Sequence, residues 1–387
     1  MKFISYIVVA ALSFGLAIFL SGSFGEKSEP YDFSSIDNTV EIKDSTDFTT
    51  YYDQLTDYQK SIYDTLLEPV SKAQEKITLT NVNIIDFKNN CFPACIALQY
   101  DHPEYFWFAC GYSFTSSRTT FAETGDIEME LSYYQYVSTL FNAEKKLETL
   151  QQEVEKVADL ARNHSSDDYE RILFVHDYLI ENAYYDTEAL TEYCSSYHNP
   201  SCEYIFSAYG CLVEGKTVCS GYAKAFQLIL NELGYDCTYV TGDAGERHGW
   251  NCVYLDGEGY YVDVTWDDRD FDKEVPMYDY AFINDEALNR THQIDMEFDS
   301  PVCNATDYNY FVKRGYYTET YDFDEVSRIL SSQSNNDAAH VRFGSLDELG
   351  KAYDDLITKK QIFNIKGLSE FQYSNYNEDI YTLTVLK

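Results

Sequence analysis

Positive charge is what this chain has least of. Lys and Arg number 28 against 65 Asp and Glu, a formal net charge of −37 over 387 residues. Such a surface repels phosphate, which excludes broad contact with nucleic acid or with anionic lipid headgroups. A second absence lies near the N-terminus. Lys2 leads into an apolar run from Phe3 to Leu20, and no cysteine sits in the small-residue stretch Ser21-Gly22-Ser23-Phe24-Gly25 that follows. A lipoprotein-type anchor therefore has no attachment point. The run reads as a secretory signal, and at 18 residues it is also just long enough to stay as a membrane-spanning anchor. Residues 1–25 are thus expected to make the protein secreted or cell-surface, with polar, acidic linker from Glu26 to about Asp47. A zinc site is also missing, because no second close Cys or His pair follows Cys91 and Cys95 at ligand spacing. No metal or other cofactor is expected, no internal repeat is visible, and nothing fixes an oligomeric state.

What is present is a globular chain. Hydrophobic residues make up 45%, enough for one large domain or two to three smaller ones, and 37 Tyr supply aromatic contact area that stays compatible with an acidic surface. There are ten cysteines, an even number that permits full pairing in an oxidising compartment. Cys194–Cys202, around a polar loop, and Cys91–Cys95, around a proline, are candidate bridges.

Periodicity divides the chain further. Residues 26–160 read as an N-terminal α/β segment. It has an amphipathic helix within Asp47–Glu75, strands at Ile77–Ile85, Cys95–Tyr100, Tyr105–Ser113 and Glu128–Tyr136, and a Lys/Glu-rich helix over Asn142–Ala161. Residues 161–310 carry a helix over Asp167–Asn182, in which His176 reads as a packed or capping residue. A second helix starts close to Cys219, with Ala223, Phe226, Ile229, Leu230 and Leu233 as its apolar stripe and Gly234 as its C-terminal cap. A strand, Cys237–Gly242, and a hairpin follow, with arms His248–Leu255 and Tyr260–Trp266 around Asp-Gly-Glu-Gly. Helix followed by antiparallel strands is an α+β arrangement. Residues 311–387 read as a small C-terminal α/β unit, with strands at Val341–Phe343, Ile362–Ile365 and Tyr381–Leu386 and a helix over Leu346–Ile357. The alternating Asp268, Asp270 and Asp272 resemble a calcium loop, but Lys273 stands where it needs Gly and Asp279 where it needs Glu, so this reads as a solvated acidic loop.

One constellation carries chemistry. A thiol attacks acyl groups as thiolate, and the unpaired N–H groups and dipole of a helix start favour negative charge there. The same N–H groups can bind the oxyanion that forms when sulfur adds to a carbonyl. Cys219 is placed to use both. With a two-residue Asp256-Gly257 turn, Leu255 pairs with Glu258, so Asp263 falls opposite Trp250 and diagonal to His248 on one sheet face, close enough to orient the imidazole. A disulfide from Cys219 to Cys211 or Cys237 is the competing reading.

The order Cys219, His248, Asp263 is carried by Val-Cys-Ser-Gly-Tyr-Ala-Lys-Ala-Phe, His-Gly-Trp-Asn and Tyr-Tyr-Val-Asp-Val-Thr-Trp-Asp. It resembles the transglutaminase-like superfamily of papain-like folds, as exported bacterial proteins carry it, over about residues 165–310. The resemblance implies a papain-like core, a helix packed on an antiparallel sheet, with Cys219 as nucleophile, His248 as base and then acid, and Asp263 as orienter. It implies acyl-enzyme chemistry on a peptide or protein substrate, cell-wall peptide included. A water-filled extracellular setting and a pocket not visibly specialised for Lys favour hydrolysis over amine transfer. A silent surface-binding module on the same fold is the alternative. Two departures stand out. Gly249 replaces the Ala of the His-Ala-Trp found in many relatives. Where animal transglutaminases use an upstream Trp to hold the oxyanion, the only tryptophans are Trp107, Trp250 and Trp266, leaving Tyr185 as a stand-in.

Overall fold

The computed structural model describes residues 4–8, 31–32, 51–116, 124–136, 140–195, 199–268, 275–370 and 373–386. Most of the N-terminal apolar run, the linker and the acidic loop at Asp270 and Asp272 lie outside them. Among the described residues no helix is long and apolar enough to cross a membrane.

The first layer comprises β1 (Ile4–Val8), β2 (Tyr31–Asp32), α1 (Asp57–Ser71), β3 (Lys76–Val82), α2 (Ile84–Asp101), β4 (Phe108–Ser116) and β5 (Gly125–Tyr133). Its sheet runs β1-β4-β5-β3-β2, antiparallel except for the β2–β3 pair. Thr56 starts α1 with a reciprocal capping box to Gln59. Asn83 caps α2 through the N–H groups of Ile85 and Asp86. The strand expected at Cys95–Tyr100 is therefore helix, despite Pro93 within it. All six of those residues are buried, so they show no amphipathic period by which helix could be told from strand.

The central layer holds α3 (Leu140–His164), α4 (Asp168–Asn182), β6 (Tyr184–Tyr185), α5 (Thr187–Ser195), β7 (Lys216–Thr217), α6 (Cys219–Leu233), β8 (Cys237–Asp243), β9 (Arg247–Leu255), β10 (Glu258–Val262), α7 (Val264–Asp267), β11 (Ala281–Ile283), α8 (Asp285–Leu288) and β12 (Gln293–Ile294). The antiparallel sheet β11-β10-β9-β8-β12 carries α6 on one face, an α+β core as expected. Gly234 ends α6 at φ +87°, a left-handed turn that glycine enters without a steric cost. Gly221 serves a different end. A Cβ there would sit 1.8 Å from Thr217 Oγ1 and under 3 Å from two backbone carbonyls, so glycine lets residues 205–217 press against the first turn of the helix.

The hairpin forms in the expected register. Leu255 pairs with Glu258 around Asp256 and Gly257, both at positive φ, the signature of a type I′ turn. The second arm is shorter than expected. It ends at Val262, and Asp263 then caps α7 by accepting the Trp266 N–H, so Thr265 and Trp266 are helical.

The last layer contains α9 (Tyr310–Arg314), β13 (Tyr317–Thr318), α10 (Phe323–Ser332), β14 (Ala338–Phe343), α11 (Leu346–Tyr353), β15 (Tyr373–Asn377) and β16 (Thr382–Leu386), with the sheet β13-β14-β16-β15. The strand expected at Ile362–Ile365 is a 3₁₀ turn, Gln361–Asn364, whose Ile362 plugs the core beneath β14 and β16. This layer is pinned to the central one by buried Asp279, which accepts from Thr382 Oγ1 (2.6 Å) and Asn377 Nδ2 (2.7 Å). The first layer is joined to it by Tyr51, whose hydroxyl donates to the Tyr239 carbonyl at 2.5 Å. Gln227 Nε2 adds a bond to the Tyr100 carbonyl.

Neither expected disulfide forms: all ten cysteines are thiols. Cys91 and Cys95 face each other one turn apart on α2 with sulfurs 4.0 Å apart, whereas Cys194 is exposed and Cys202 buried. Cys252 lies nearest Cys303, at 3.6 Å.

Candidate active site

Cys219 is the first residue of α6 and is buried. Its neighbour Val218 occupies the N-cap and supplies no side-chain acceptor. Helices of this kind forgo about 1 kcal/mol that a Ser or Asp cap would contribute. Here the positive end of the helix is left to whatever anion forms at Cys219. The Gly221 and Tyr222 N–H groups close back on the Val218 carbonyl. Those of Cys219 and Ser220 precede any intrahelical acceptor. Two residues before the cysteine, Thr217 pairs with Tyr185 across the parallel β6–β7 ladder, which brings the tyrosine within electrostatic reach of Cys219. Burial first, then the neighbouring Cys219, Glu246 and Asp263, push the Tyr185 phenol up, which keeps it a proton donor.

His248 lies near the start of β9, a position fixed by the Arg247–Asp295 ion pair (2.6 and 2.7 Å) and by pairing with Gly242. Its Nε2 is 2.7 Å from Asp263 Oδ2. A carboxylate can only accept, so Nε2 carries the hydrogen and Nδ1 is the nitrogen left to act as base. Burial works against a charged imidazole here, but the Asp263 charge and hydrogen bond, helped by Cys219, hold His248 up to about 10. Burial likewise opposes ionisation of Asp263. The charge and hydrogen bond of His248, with support from His292, nonetheless hold its carboxyl well below the usual carboxylate range. The structure thus brings Cys219, His248 and Asp263 into one buried cluster.

Gly249, the departure from His-Ala-Trp, has a local reason. A Cβ would meet Tyr239 Oη at 2.6 Å and its ring carbon at 2.7 Å, so the tyrosine leaves no space for a methyl group. Tyr239 in turn packs under the buried Lys224, whose ammonium donates to the Phe206 carbonyl at 3.1 Å. Burial draws Lys224 down to about 8, with Cys219 pulling the other way. His176 behaves as a packed residue. It is buried between Asp177 (2.9 Å) and Asp267 (3.2 Å) and stacks on Tyr278.

One participant has no signal in the sequence. His292, 29 residues beyond Asp263, places its Nε2 3.1 Å from the same Oδ2 that receives His248. Ligand atoms of His248, Asp263 and His292 lie within 4.8 Å of one another, a spacing a metal could use. Both histidine nitrogens already donate to Asp263 Oδ2, so we read the cluster as a proton-held network.

Residues 155–264, which include all three expected site residues, match the family model of the transglutaminase-like superfamily. A curated relative, kyphoscoliosis peptidase of Mus musculus, is 30% identical over 151 residues, covering 36% of this chain and 21% of that protein. The chain therefore matches about one fifth of that relative's length. Similar solved structures include a TGase at 13% identity, with coverage of 51% and 52% of the two chains and a TM-score of 0.30. Another is a candidate cysteine protease from Cytophaga hutchinsonii at 17% identity, with coverage of 40% and 56% and a TM-score of 0.23. At those scores the superpositions add nothing to the geometry above.

Proposed function

We propose, on the premise that residues 155–264 form a transglutaminase-like domain, that this protein is a cysteine hydrolase of peptide or amide bonds. Cys219 is its nucleophile, His248 its base and then acid, and Asp263 the orienter of His248. The observation that carries this reading is the buried 2.7 Å contact of His248 Nε2 with Asp263, which leaves Nδ1 to a cysteine at an uncapped helix start.

In the first half-reaction the thiol proton already sits on His248 Nδ1, held there by the Asp263 charge, and the Cys219 sulfur adds to the substrate carbonyl. The oxyanion forms beside the N–H groups of the first turn of α6 and the Tyr185 hydroxyl. Imidazolium His248 then gives its proton to the leaving amine, the C–N bond breaks and a thioester on Cys219 remains. In the second half-reaction His248 deprotonates water, the hydroxide attacks the thioester and the carboxylic acid departs as the thiol re-forms. Asp263 stays ionised throughout and holds the imidazole in the tautomer the cycle needs.

Hydrolysis is favoured over amine transfer because the curated relative is a peptidase. The apolar N-terminal run supports a secreted or surface-anchored setting, where water is the abundant acceptor. A peptide panel that includes cell-wall peptides tests the reading. Cleavage with an acyl adduct on Cys219, found by intact mass and lost in Cys219→Ala, supports it. Incorporation of a labelled amine without cleavage would assign a transferase instead, and neither outcome would leave a binding module.

A further inference from the structure

We propose that His292 is a positioning residue of this site, holding Asp263 ionised and aligned on His248; the proposal rests on the cysteine-enzyme reading above. Nothing local in Asn289-Arg-Thr-His292 marks it, and it reaches the cluster through the fold. α8 hands its Leu288 carbonyl to the His292 N–H at 2.9 Å. β12 then pairs with β8 at Gly242 and Asp243, and Gly242 is the ladder partner of His248. The two histidines are thus fixed to one sheet. The imidazole of His292 is fully buried against Trp266, Trp250 and Tyr280, with ring centroids 4.5, 4.8 and 5.6 Å away.

One hydrogen-bond direction is forced. Facing a carboxylate at 3.1 Å, His292 Nε2 must donate, while its Nδ1 rests 2.8 Å from the Thr291 hydroxyl. Asp263 Oδ2 therefore receives two N–H groups, and Oδ1 receives the Trp266 N–H at 3.1 Å. The carboxylate cannot turn without breaking at least one of these bonds. A buried carboxylate with a single donor tends to take the proton of the imidazolium it faces, which would discharge the pair. The second donor on the same oxygen opposes that transfer, so His248 keeps its proton until the leaving amine takes it.

The other ionisable groups that act on Asp263 are His248 from β9, Tyr185 from β6 and Tyr280 before β11, with Cys219 acting through His248. None of them can replace the N–H of His292. His292→Phe keeps the aromatic volume and removes the donor, and His292→Gln keeps a donor. The readout is iodoacetamide alkylation of Cys219 against pH, with turnover of any cleaved peptide beside it. We expect His292→Phe to slow Cys219 alkylation near neutral pH by about 10–100-fold, the usual range for losing the partner of an orienting group. Its acid inflection should move to higher pH, kcat should fall with KM nearly unchanged, and His292→Gln should recover most of the loss. Native alkylation rate and inflection in His292→Phe, with only the melting temperature changed, would reduce His292 to packing and overturn the proposal. In the native chain, ¹H–¹⁵N spectra should show His292 protonated at Nε2, assigned by its loss in His292→Gln, and a bare Nε2 overturns the proposal even if the Phe variant fails to fold. Should Cys219 of the native protein show no preferential alkylation, the cysteine-enzyme reading fails first and takes this proposal with it. A reactive Cys219 that is indifferent to His292 sinks this proposal alone.

Discussion

Asp263→Asn removes the charge that keeps His248 protonated. Asparagine caps helices as well as aspartate does, so with its carbonyl oxygen in the place of Oδ1 the Trp266 N–H keeps its acceptor and α7 its start. An amide nitrogen then replaces Oδ2, so His248 and His292 lose their acceptor together with the negative charge. Two unit charges about 4 Å apart at an effective dielectric constant of about 20 interact by about 4 kcal/mol. At 1.36 kcal/mol per unit of pKa, that corresponds to about 3 units. His248, held at about 10 in the native protein, should therefore titrate near 7 in the variant. The assay is an NMR titration of the ¹³C-labelled histidine Cε1 resonances, with His248 assigned by its loss in His248→Ala. It needs no substrate. Turnover should fall by roughly 10³–10⁴-fold, because the imidazole can then adopt the wrong tautomer. A His248 midpoint that stays within a unit of 10 would refute the assignment of its charge to Asp263.

The same pair sets a stability window. Asp263, held below its ordinary value, contributes stability that is present above about pH 4 and is lost as the pH falls below that. His248, held above its ordinary value, contributes fully below about pH 6.5 and loses that contribution as the pH rises through about 10. The melting-temperature gap between native protein and Asp263→Asn should be widest near pH 5–6.5 and should narrow on both sides. Gly221→Ala, which drives a methyl into two backbone carbonyls, should cost about 3 kcal/mol in denaturant unfolding. Gly234→Ala, with open space around it but φ at +87°, should cost only about 1 kcal/mol. Thr382→Val removes a hydroxyl donor from buried Asp279 and should destabilise by about 1–3 kcal/mol, with amide exchange rising first in β15 and β16.

Local signals in the sequence were enough for α6 and the hairpin. An apolar stripe ending in glycine fixes the helix, and Asp256-Gly257 fixes the register that brings Asp263 towards His248. The failures have physical causes. α2 is buried on nearly every side over Cys95–Tyr100, so its period vanishes, and Pro93 reads as a break although the helix continues through it. β10 ends at Val262 because Asp263 turns its carboxylate to the Trp266 N–H, a capping role invisible in a run of β-forming residues. His292 reaches the cluster only through the β8–β12 pairing, and two-residue strands leave no periodic trace in a sequence. The disulfides expected from spacing fail because spacing carries no orientation: Cys194 looks outward while Cys202 is covered.

The central claim is that Cys219 is a nucleophile served by His248. The most direct test is brief treatment of the folded, non-reduced protein with iodoacetamide near neutral pH, followed by mass mapping of all ten cysteines. Nine of the ten are buried, Cys219 among them, and only Cys194 is exposed, so accessibility alone favours modification of Cys194. Our account predicts that Cys219 is modified first and that His248→Ala abolishes this preference. Modification confined to Cys194, or a Cys219 whose rate is unchanged by His248→Ala, would contradict it.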